Sequence, residues 1–89
     1  MISYFKDEPL RGTPGYRFSS KANDPITGQP MTIDFFDGEL NMCRAKIRGT
    51  TFEAIQMQPA AAAQEVWLRY QMYHGIEDSR GVGRPADSA

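Results

Sequence analysis

Between Met31 and Met42 the chain runs Met31-Thr32-Ile33-Asp34-Phe35-Phe36, turns at Asp37-Gly38 and leaves as Glu39-Leu40-Asn41-Met42. Asp-Gly between alternating runs is a strong hairpin signal, because both residues tolerate the positive φ of a tight β-turn. A two-residue loop sets Phe35 opposite Leu40 and Ile33 opposite Met42 on one face, with Asp34 opposite Asn41 on the solvent side. Past Met42 the parity changes. Cys43, Ala45 and Ile47 become the apolar set, and Arg44, Lys46 and Arg48 alternate with them. This predicts a β-bulge near Met42 and Cys43 that returns the apolar set inward and turns the basic residues out. A second reversal at Gly49-Thr50 leads into residues 51–57 and pairs Ile47 with Phe52, Ala45 with Ala54, and Lys46 with Glu53.

A helix follows the sheet. Pro59 suits a first helical position, where its missing N–H costs nothing, and the four alanines Ala60 to Ala63 are strong helix formers. Ala63, Val66, Trp67, Tyr70 and Tyr73 share one broad apolar face, and Gly75 is the expected end. A second stripe, Ala61, Leu68 and Met72, projects almost opposite. It either stays exposed as a contact surface or lies under an N-terminal segment carrying Ile2, Tyr4, Phe5 and Leu10.

The first thirty residues are punctuated by Pro9, Gly12, Pro14, Gly15, Pro25, Gly28 and Pro30, so only short strands fit, at Ile2 to Phe5 and Tyr16 to Ser20. Asn23 to Gly28 reads as a surface loop. The architecture expected is one α+β domain over residues 1–76, an antiparallel meander of three to five strands covered on one face by a single C-terminal helix, with an irregular stretch at 6–30. Residues 77–89 are nearly devoid of apolar side chains and are expected to be a disordered tail.

The inventory of reactive groups is narrow. One cysteine, Cys43, and one histidine, His74, exclude an intramolecular disulfide and every zinc pattern built on several soft ligands. A Cys43–His74 nucleophilic pair is disfavoured because Cys43 falls mid-strand rather than in an electropositive, accessible setting. Asp34, Asp37 and Glu39 gather at a convex turn, which offers acid-base chemistry no cleft. No phosphate-binding glycine motif occurs. Gly83-Arg84-Pro85 has the Arg-between-Gly-and-Pro form of minor-groove arms, but the second arginine is displaced to Arg80. No enzyme and no cofactor are expected.

Ten basic against eleven acidic side chains leave a formal charge of −1, so any polyanion binding must be local. Arg44, Lys46 and Arg48, with Arg17 on a neighbouring strand, form the candidate basic stripe, and Phe36 and Tyr4 are the candidate aromatics beside it. The opening residues lack a signal-peptide pattern, and no apolar run is long enough for a membrane span, so a cytoplasmic protein is expected. The reading that fits is a non-enzymatic protein-binding module. It would be a small inhibitor or adaptor docking on a larger protein or nucleoprotein complex, of the kind phages and mobile elements encode against host machinery. Its contact residues would be Arg44, Lys46, Arg48, Arg17, Phe36, Leu68 and Met72. A homodimer through Leu68 and Met72 is compatible with it. Nucleic-acid binding by the basic strand face is the alternative, and a small enzyme or accessory subunit the least favoured.

Overall fold

Each strand pairs with the one that follows it in the chain, giving a five-stranded antiparallel meander. Among the described residues the strands are β1 (Tyr4–Phe5), β2 (Tyr16–Asn23), β3 (Pro30–Asp37), β4 (Cys43–Ile47) and β5 (Glu53–Gln56), followed by one α-helix, α1 (Pro59–Val82). The structure, a computed structural model, describes residues 3–82 and the side chains of residues 3–74. It bears out the expected α+β architecture, with α1 packed on β4 and β5.

The β4–β5 register is the expected one: Ala45 faces Ala54, Lys46 faces Glu53, and the Ile47 N–H donates to the Phe52 carbonyl. Gly49, at φ 83°, supplies the left-handed residue of that turn. The β3–β4 hairpin differs from expectation. Ile33 faces Ile47, Phe35 faces Ala45, and Asp37 faces Cys43, so neither Leu40 nor Met42 belongs to the ladder. Residues 38–42 form a five-residue loop around a 3-10 turn at Glu39–Asn41, closed by the Gly38 N–H on the Met42 carbonyl at 2.8 Å. The loop absorbs the parity change, so no bulge is needed at Met42 and Cys43. The sheet's register shift lies instead in β2, between Tyr16 and Phe18.

Ile33, Phe35, Cys43, Ala45, Ile47 and Ala54 form the inner face of the sheet, buried with Ala62, Ala63, Val66 and Tyr70 of the helix. Alanines on both layers let helix and sheet approach closely, which restricts the large core side chains to a few. Tyr73, expected on that face, is more than half exposed, and Ala62 is buried in its place. The helix continues through Gly75 to Val82 rather than ending at Gly75. The tail expected at 77–89 concerns residues whose side chains, and from 83 whose backbone, lie outside the described residues, as does Gly83-Arg84-Pro85.

Two polar clasps tie the connections down. The Asp24 carboxylate accepts from the backbone N–H groups of Ile26 and Thr27 at 2.7 and 3.3 Å, and from the Tyr70 hydroxyl at 2.5 Å, fastening the β2–β3 loop to the helix. Burial alone would raise the Asp24 carboxyl, but the Tyr70 hydroxyl and these N–H groups outweigh it and hold it below its ordinary value. The second clasp crosses the outer face. Asp7 N–H donates to the Tyr16 hydroxyl at 2.9 Å, Tyr16 and Ser19 hydroxyls lie 2.7 Å apart, and Ser19 donates to Asp34 at 2.6 Å. A carboxylate only accepts, so the single Ser19 proton points to Asp34 and Tyr16 must donate to Ser19. Arg48 closes the circuit with two bonds to Asp34, at 3.0 and 2.7 Å, and one to Asp7 at 2.7 Å. Asp34, expected on the solvent side, is therefore buried together with Ser19 on the outer face of β2 and β3.

Candidate protein-binding surface

The basic stripe exists as a row of residues but is largely neutralised. Arg17 bonds Asp37 at 2.5 Å and the Met42 carbonyl at 3.2 Å, and Arg44 bonds Glu53 at 2.9 Å. Arg48 is spent on Asp34 and Asp7. The hydrogen bonds it donates to Asp34 hold the Arg48 guanidinium in its charged form more firmly than usual. Glu53, opposite Lys46 in register, thus pairs with Arg44 on the diagonal, and Lys46 makes no ion pair among the described residues. The aromatic question divides by face. Phe36 lies on the outer face under Arg44, whose guanidinium carbon stands 5.0 Å from the ring centre, and beside Tyr16 at 5.8 Å. Tyr4 lies on the opposite, inner face against Phe18 and Phe35, at 4.6 and 5.7 Å.

The two candidates for nucleophilic chemistry are not brought together. Cys43 is buried at the start of β4, where burial pushes the thiol up despite the nearby Arg17 guanidinium. His74 sits near the other end of the sheet, among Phe52, Tyr70 and Tyr73. Among the described residues no cluster of His, Cys, Asp or Glu could hold a metal ion, and no helix is long and apolar enough to cross a membrane.

The exposed apolar residues lie elsewhere. Leu40, at the tip of the β3–β4 loop, is 92% exposed, although the sequence pattern assigned it to the core opposite Phe35. It adopts φ 57° and ψ 37°, and Asn41 follows at φ 62°. The left-handed region is familiar for Asn and costly for a bulky apolar side chain. Leu40, Met42, Arg44 and Ile55, with the Asp37–Glu39 backbone turn, line a concave surface of about 650 Å³ on the outer face. Ile55, at 48%, and Met57, at 69%, add exposed apolar area along β5. The signal that could have found Leu40 is the parity change after Met42, which a longer loop explains as well as a bulge does.

The second helix stripe is open to solvent, Leu68 at 48% and Met72 at 64%, so the N-terminal segment does not cover it. Tyr4 and Phe5 of that segment form the edge strand β1, and from Asp7 the chain reaches the outer face of the sheet, where Asp7 meets Tyr16 and Arg48. The chain matches no family model, no curated protein and no solved structure.

Proposed function

We propose that the chain is a non-enzymatic protein-binding module, an inhibitor or adaptor of a larger complex in the cytoplasm, which docks through the Leu40 loop. The observation that carries the reading is Leu40 itself: a large apolar side chain almost wholly in water, on a backbone conformation that disfavours it. Strained residues cluster at binding and active sites, and at 92% exposure this side chain gains little burial to offset its conformation. Around it, Met42 and Ile55 extend the apolar floor, while Arg44 over Phe36 supplies a fixed cation at the rim. Buried aromatic and apolar anchors ringed by such groups are how protein interfaces gather their energy. The small size and balanced charge fit the accessory proteins that phages and mobile elements direct at host machinery.

Nucleic-acid binding by the basic face is the weaker reading, because Arg17, Arg44 and Arg48 would each have to leave a carboxylate for a phosphate. The test is quantitative affinity capture from host lysate with the wild-type chain, Leu40→Gly, Arg44→Glu and Lys46→Glu. A partner retained by wild type and Lys46→Glu and lost from Leu40→Gly and Arg44→Glu supports the loop surface. An identical captured set for wild type and Leu40→Gly defeats it.

A further inference from the structure

The two edges of the sheet are unlike. β1 is two residues long, which blunts its edge. β5 is four residues, Glu53–Gln56, with no proline, no lysine and no bulge, and Ile55 and Met57 beside it are exposed. Its ladder bonds to β4 involve Phe52, which accepts from Ile47, and by alternation Ala54 and Gln56. The N–H and C=O groups of Glu53 and Ile55 therefore point outward. Arg69 donates to the Glu53 carbonyl at 3.0 Å and takes one of its two lone pairs.

We propose that the β5 edge pairs with β5 of a second copy of this chain about a two-fold axis at Ala54, joining two sheets into one of ten strands with the two helices packed side by side. Three features of the fold fit a second copy. With the axis at Ala54, Glu53 pairs with the partner's Ile55 and Ile55 with the partner's Glu53, so both outward-facing residues of β5 are used and four main-chain bonds form. The helix packs on β4 and β5, the two strands at this edge, so a second copy paired along β5 brings its own helix to the same face.

The third feature is charge. Glu65 and Arg69 pair at 3.3 Å on the flank of the helix that faces the β5 edge. A two-fold axis runs the helices antiparallel and sets Glu65 beside the partner's Arg69 and Arg69 beside the partner's Glu65. The flank is thus complementary to itself, as an isologous interface requires. Leu68 and Met72, on the adjoining part of the helix surface, would border the seam.

The experiment is light scattering and sedimentation of the full chain, with far-ultraviolet circular dichroism of every variant to confirm folding. Wild type is expected at twice the mass of a single chain. Ile55→Pro removes an outward N–H without touching the β4–β5 ladder, and is expected to be a folded monomer. Glu65→Arg should weaken the dimer about tenfold or more, and Glu65→Arg with Arg69→Glu should restore it. A monomeric wild type, with or without a peptide bound at the edge, overturns the proposal. So does a dimer that survives Ile55→Pro but is lost in Leu68→Glu, which would move the interface to the outer helix stripe. Leu40→Gly should leave the dimer intact, so loss of partner capture and loss of pairing are read separately.

Discussion

At Leu40 the requirements of folding and of binding diverge, and a single substitution measures the difference. Glycine has no Cβ to crowd the following carbonyl, so Leu40→Gly should stabilise the chain by about 1 kcal/mol, read as a higher urea midpoint at unchanged slope, while it lowers partner capture. A loss of stability instead would mean that the leucine side chain supports its own loop. Asp34 presents the reverse case. Buried, and accepting from Ser19 and Arg48, it holds the N-terminal crossing on the sheet. Asp34→Ala takes the acceptor from the Ser19 hydroxyl and leaves Arg48 with Asp7 alone, and should cost about 2 to 3 kcal/mol in equilibrium unfolding. Neither residue's place was readable locally. Leu40 obeys the alternation of a tight hairpin that the chain does not make, and Asp34 looks like an outward-facing residue until the segment bearing Asp7 is laid across it. Likewise the arginines were legible as a stripe, but Asp7, Asp34, Asp37 and Glu53, which neutralise them, lie on other strands or beyond them.

At the level of elements, the link between the β2–β3 loop and α1 has a definite pH signature. The folded Asp24 carboxyl lies below its unfolded value of about 3.9, so its contribution is complete above that pH and is lost as pH falls through the folded value. Tyr70 is shifted the other way: its hydrogen bond to Asp24, aided by burial, holds its folded value above the unfolded value of about 10. Its contribution is complete below about pH 10 and is lost as pH rises through the folded value. Tyr70→Phe should cost about 1.5 to 3 kcal/mol near neutrality and flatten both limbs of a urea midpoint plotted against pH. An unchanged acid limb would show that the backbone N–H groups of Ile26 and Thr27 alone depress Asp24. Elements with strong local signals were readable: Pro59 and the alanine run open the helix, and Gly49-Thr50 sets the β4–β5 register. The Asp37-Gly38 signal located a reversal but not its length, since Gly38 begins the loop rather than ending it. Gly75 failed as a stop because a glycine inside a helix costs only about 1 kcal/mol.

For the whole molecule, Cys43 is an internal reporter. Wholly buried, with its thiol raised by burial, it should react with an aromatic disulfide reagent only when the sheet opens. Under rapid pre-equilibrium the labelling rate should fall about fivefold in Leu40→Gly and rise steeply in Asp34→Ala, in step with their unfolding free energies. Labelling as fast as a free thiol in the native chain would place Cys43 at an accessible surface. The strand order also sets how the chain reaches this state. Because β1 to β5 neighbour one another in the order they occur, most sheet contacts close short loops, and the meander can zip without a long search. The joins between Asp24 and Tyr70, and between Asp7 and Arg48, span far more of the sequence and cannot form until the strands between them are in place. They should therefore be absent from the folding transition state. Tyr70→Phe and Asp34→Ala would then accelerate unfolding and leave the folding rate nearly unchanged, making these two clasps the residues that set how long a folded molecule lasts.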